Sequence, residues 1–119
     1  MDVIHSQGWT EFFQELSREY AGRRATVAQR HAYGWRNIAL PMSLDGVAMQ
    51  NAQDDPDGPI EIRVAGHAAT GPVAHTVEQP QRVRRIGIDG AIGVVIEQLN
   101  GPPTIICIWP GVDRQAQGT

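Results

Sequence analysis

Residues 75–86 read HTVEQPQRVRRI, placing a histidine and a glutamate three residues apart ahead of a proline and three arginines within four positions. Histidine with a carboxylate suggests a metal site or an acid–base pair. At i and i+3, however, the two side chains share a face only on a helix. Pro80 follows Glu78 closely, which favours an extended or looped chain, and there His75 and Glu78 project to opposite faces. They do not converge on one metal, and no metal site is expected. Thr76 and Glu78 share a face, which suits a local hydrogen bond to a turn. His75 alone, with an imidazole that titrates near neutrality, is a candidate base or ligand contact. The simpler reading is a histidine hydrogen-bonded at the edge of the core.

The arginines raise a second chemistry. Arg82 and Arg84 share one face of a regular strand, Val83 and Arg85 the other, yet Ile86 and Ile88 fall in phase with Arg82. A bulge at Arg84 and Arg85 would restore one apolar face and turn most of the arginines outward. Such a row, with Arg63 on a neighbouring strand, has the geometry to bind phosphate or a partner's carboxylates. Set against Glu61, Glu78 and Glu97, the same row is a salt-bridged face, and that reading is favoured.

Other sites fail on spacing. His5, His31 and His67 are scattered and suggest no ligand set. QDDPDG lacks the carboxylate positions of a calcium loop: with Gly58 at the sixth place, Gln53 holds the first and Val64 the twelfth. The chain has no lysine, which excludes a P-loop, a Schiff-base lysine and a kinase lysine. None of Ser6, Ser17 and Ser43 sits in a G-x-S-x-G elbow. Cys107 lies within IICIW, where a buried inert thiol is expected. Gly87, Gly90 and Gly93 have no helix after them and make no dinucleotide fingerprint. No catalytic residue and no cofactor are expected.

The elements that must position these groups start with a helix. Trp9, Phe12, Phe13, Leu16 and Tyr20 form one apolar stripe at helical period, with Ser6 as N-cap and Gly22 as the terminating glycine. Four of the chain's seven aromatic residues lie on that stripe, so the helix anchors the core. Strand and turn follow. RRATVAQRHA is a strand with Ala25, Val27 and Gln29 on one face. In RNIALPMSL, Pro41 implies an edge or a bulge, and Asp45-Gly46 implies a turn or bulge before Val47 and Met49. IEIRV alternates cleanly. QRVRRIGI, IGVVIEQL and PTIICIW form a meander joined at Asp-Gly and Asn-Gly turns. The last strand is apolar on both faces, so both need cover, from the helix and a curved sheet or from a second subunit.

These elements predict a single α+β domain over residues 1–111, an N-terminal amphipathic helix on a strongly curved antiparallel sheet of about six strands, a roll or half-barrel. Residues 112–119 read as a polar tail. The length of 119 residues suits one core without staples, and a single cysteine excludes an intramolecular disulfide. A formal charge of −3 argues against a nucleic-acid partner. No segment reads as a signal peptide or membrane span, so a cytoplasmic protein with no membrane partner is expected.

Three segments carry a family resemblance: WTEFFQELSREYAG, LPMSLDGVAM and HTVEQPQRV, the last followed by a hairpin and a closing apolar strand. Together they resemble the bacterial domain-of-unknown-function family DUF5335 over residues 4–111. HTVEQPQRV is the most specific of the three. Two extra residues between LPM and GV, and Cys107 with Trp109 in the last strand, depart from the family pattern. The family has no assigned activity, so the resemblance implies fold and size and no mechanism.

Two functions are compatible with these residues. The favoured one is a non-catalytic interaction domain that binds an unknown protein partner or itself, as a homodimer. The alternative is a small-molecule or anion-binding protein, or an enzyme, with a pocket between helix and sheet at His75, Arg82 and Arg63.

Overall fold

The computed structural model describes residues 2–31, 34–50, 58–65, 73–88 and 90–109. The acidic segment around Asp54 and Asp55, His67 and the polar tail lie outside them. The order is β1 (Asp2–Ile4), a 3₁₀ turn (Ser6–Gly8), α1 (Trp9–Tyr20), β2 (Arg24–His31), β3 (Gly34–Met49), β4 (Ile60–Ala65), β5 (Val73–Val77), β6 (Pro80–Ile88), β7 (Ala91–Gln98) and β8 (Thr104–Trp109). The eight strands form one antiparallel sheet, ordered β1-β6-β7-β8-β2-β3-β4-β5. The α+β class is as expected, with eight strands in place of six. The two additional strands, β1 and β5, are the sheet's edges, so the sheet is not closed. Three residues in β1 are too few to show a period, and β5 puts His75 at an inward position where alternation calls for an apolar residue.

Helix α1 fills the concave side. Trp9, Phe13 and Leu16 are buried in a core with Ala25, Val27, Leu44, Ile62, Val83, Val94 and Ile106, while Phe12 and Tyr20 pack at its margin. The start of the helix differs from expectation. Gly8 is the N-cap without a side-chain bond, and Ser6 belongs to the 3₁₀ turn. Instead, the Trp9 indole Nε1 donates to the Ile4 carbonyl at 2.9 Å, tying the helix to β1. The C-terminal end follows the sequence signal. Ala21 at φ −57°, ψ 135° and Gly22 at φ +83° make a type II turn, closed by Arg23 N–H donating to Tyr20 O at 3.0 Å. Only glycine takes that positive φ without strain.

Strand β3 has two partners in succession, β2 along its first part and β4 from Ser43 onward. Asp45 is bulged between the Leu44–Val64 and Gly46–Arg63 pairs, as Asp45-Gly46 suggested. Register shifts against β2 also accommodate Pro41. Past Ser43 the β2-facing edge of β3 lacks a strand, and α1 takes its place. Val47 N–H donates to Ser17 Oγ at 2.8 Å, and that hydroxyl donates to Val47 O at 2.9 Å. Nearby, Gly22 N–H donates to Leu44 O and Leu44 N–H to Arg23 O, each at 2.8 Å. One serine thus substitutes for a neighbouring strand.

In β6 the bulge lies elsewhere than expected. Register is unbroken from Arg82 to Ile88, and the shift falls between Pro80 and Arg82. The apolar phase does not slip at Arg84, because Ile86 packs on a second, outward cluster with Ala28, Val95, Ile105 and Cys107. The β6–β7 hairpin turns through two residues with Gly90 at φ +82°. The β7–β8 connection is longer, residues 99–103, with Asn100 in the left-handed region at φ 59°.

Ser17→Ala leaves both Val47 groups unpaired in a half-buried setting. We expect a loss of about 1–3 kcal/mol in urea denaturation with an unchanged m-value. An unaltered midpoint would show that the hydroxyl does not hold the edge.

Candidate functional site

The three residues singled out as a pocket mouth do not share a face. His75 stands opposite Ile62, whose side chain belongs to the inner core, so the imidazole points into the curve. It is half-buried, and burial lowers its pKa from the ordinary 6.5. Arg63 alternates with Ile62 and Val64 and lies exposed on the outer face, its Nε 3.0 Å from Glu61 Oε1. Arg82 is exposed on the outer face of β6 opposite Glu97. Arg85 is turned to the inner side of its strand and interacts with Tyr20, whose pKa is raised chiefly by burial and then by Glu19. Glu78 is exposed in the bend after β5. Among the described residues no group of three histidine, cysteine or carboxylate side chains has the geometry to hold a metal.

The outer face brings other residues together. Register aligns Val3, Arg84, Val95, Ile105 and Ala28 in one row across β1, β6, β7, β8 and β2. The next row sets Ile86, Gly93, Cys107 and Thr26 side by side. Ala28, Val95 and Ile105 are 6%, 5% and 9% exposed, a compact apolar floor, whereas Val3 at the edge is 53% exposed. A groove of about 530 Å³ runs over this floor, bounded by Arg30, Arg84, Glu97, Gln98, Gly101 and Pro103.

The charges around the groove are asymmetric. Arg84 Nε lies 3.0 Å from Glu97 Oε2, an ion pair that fixes one wall. The Arg24 guanidinium sits 5.6 Å from the Trp109 ring centroid, a cation–π stack at the far end of the apolar rows. Among the described residues Arg24, Arg30 and Arg82 have no carboxylate partner, so an acidic chain presents a basic outer face. The Cys107 thiol on this face is pushed up by burial, with an opposing hydrogen bond from Thr26. It is therefore a poor nucleophile. The sequence signal for this surface was β8 itself, apolar on both faces. The clustering of Arg30, Arg84 and Glu97 around it needed the register.

Fold and surface together define an α+β domain, one helix on an open eight-stranded antiparallel sheet, with an outer groove lined by apolar residues and by Arg30 and Arg84. No protein-family model, characterised protein or solved structure matches the chain. No helix among the described residues is long and apolar enough to cross a membrane.

His75 makes stability depend on pH. Its folded pKa is depressed, so the unfolded chain binds the proton more readily. The contribution is intact above the unfolded value near 6.5 and is lost as pH falls from there through the folded value. His75→Gln should flatten the fall in melting temperature between about pH 7 and pH 5. A variant that keeps the wild-type slope would place the titration elsewhere.

Proposed function

We propose that this chain is a non-catalytic interaction domain, resembling DUF5335, that binds a protein partner in the outer groove over β6, β7, β8 and β2. The observation that carries the reading is the groove with Val95, Ile105 and Ile86 as its apolar floor and Arg30 and Arg84 in its wall, with Arg82 and Arg24 further along the same outer face. Outward-facing apolar surface rimmed by charge marks binding sites in soluble domains, and Arg and Trp are the side chains most enriched where binding energy concentrates. The partner is a segment that sets aliphatic side chains on the floor and carboxylates against the arginines. A second copy is the weaker occupant, since a two-fold contact through this face sets arginine against arginine.

The test compares labelled short peptides that alternate leucine with glutamate or with lysine, read by fluorescence anisotropy. The acidic peptide should bind, the basic one should not, and affinity should fall with salt. Arg30→Glu with Arg82→Glu should weaken binding about tenfold or more. Equal binding of both peptides, or binding indifferent to those charges, would overturn the proposal. Dimerisation of the free chain that survives the arginine substitutions would point to a second copy.

A further inference from the structure

The inner face carries a polar cluster that the hydrophobic core does not explain. Strand β2 turns Ala25 and Val27 into the core, and by the same alternation Gln29 points inward. Strand β8 likewise turns Ile106 and Ile108 inward, and with them Thr104, which pairs with Gln29 in register. His75 comes from β5, three strands away from β2 in the sheet. Curvature brings its Nε2 to 3.5 Å from Gln29 Nε2. Gln29 thus meets His75 across the bend, with Thr104 next to Gln29 in register.

Their hydrogen bonding is incomplete. Thr104 is 0% exposed, and its Oγ1 has no partner. A buried hydroxyl left in that state costs stability, and valine of the same shape would avoid the cost. The Gln29–His75 contact lies at the outer limit for a hydrogen bond, so parting the two costs little. Both are half-buried and therefore reachable from solvent, with Thr104 enclosed beside them. Val27, Ile62, Val77, Ile96 and Ile106, the cluster's neighbours in register and along the strands, are buried and apolar, and on β3 Arg36 stands opposite Gln29 in register. A few convergent polar groups in an apolar frame is the usual form of a small-molecule subsite.

We propose that Gln29, His75 and Thr104 form a small-ligand site inside the curve of the sheet, selective for a neutral hydrogen-bonding group such as a carboxamide or hydroxyl. The selectivity follows from the side chains. A primary amide, a neutral imidazole and a hydroxyl each offer donor and acceptor capacity, and none supplies a countercharge. This site lies on the opposite face from the outer groove, so each stands or falls alone.

The test uses the full chain, with acetamide as probe and acetate as the charged control, followed by NMR of the His75 ring and the Gln29 side-chain amide. Acetamide should shift both resonances saturably, and acetate should not. Thr104→Val should abolish the acetamide response while raising the melting temperature by about 4 °C or more, because it removes an unpartnered hydroxyl. The proposal fails if acetamide moves neither resonance, if Thr104→Val binds acetamide like wild type, or if that variant melts below it.

Discussion

The bend between β5 and β6 is the constraint from which the rest of the structure follows. In the sheet, β5 is the last strand at one end and β6 the second at the other. A flat sheet would separate them by six spacings of about 4.8 Å, roughly 29 Å. Yet the chain passes from Val77 to Pro80 through only Glu78 and Gln79, a path of at most about 11 Å. The sheet must therefore curl until its ends approach one another. Leu99 N–H donates to Gln79 O at 2.9 Å and pins the corner to the β7–β8 loop. The bulge between Pro80 and Arg82 sits where β6 leaves that corner, and bulges increase local bending and twist.

Curling makes two unequal faces. The inner one has room for a helix, and α1 brings its bulkiest side chains there. A buried aromatic or leucine side chain contributes about 1.5–3 kcal/mol, so Trp9, Phe13 and Leu16 hold the helix far more firmly than its weakly capped N-terminus. Ser17 then supplies the hydrogen bonds that β3 lacks where it parts from β2, so helix and sheet are joined by polar bonds as well as by packing. The outer face has no helix, yet β7 and β8 still place Val95, Ile105 and Cys107 on it. Two-sided apolar strands are characteristic of sheets covered on both sides. Here the helix covers one side only, and the other keeps its groove and its arginines.

Much of this was legible in the sequence, and the exceptions have physical causes. The helical stripe, the Gly22 stop, the Asp45-Gly46 irregularity and the β6–β7 turn all depend on local chemistry, which a single segment displays. Strands β1 and β5 escaped because short edge strands owe their existence to a partner. The misplaced bulge came from assuming that every apolar residue in β6 must face one core. Ile86 belongs to the outward cluster, so its phase needed no correction. The candidate site depended on pairing between segments far apart in sequence. His75 drew attention beside Glu78, but its structural neighbour is Gln29, forty-six residues away. Arg82 and Arg63 looked like companions of His75 because alternation had not yet been tied to a particular face.

The reactive side chains that the structure describes are engaged by the fold itself. Ser17 has its hydroxyl engaged as both donor and acceptor by one backbone residue. Cys107 lies where burial holds the thiol protonated, and Tyr20 is likewise pushed toward its neutral form, first by burial and then by Glu19. His75 is biased to the neutral imidazole and meets an amide, which cannot accept its proton as an orienting carboxylate would. Among the described residues no nucleophile is paired with a base. The remaining polar groups fall into two separate sets. Outside, Arg30 and the Arg84–Glu97 ion pair border an apolar floor. Inside, Thr104 Oγ1 is buried without a partner, next in register to Gln29, which meets His75. The curled sheet keeps the two sets on opposite sides of the same strands, the outer groove over Val95 and Ile105 and the inner cluster beside Val27 and Ile106.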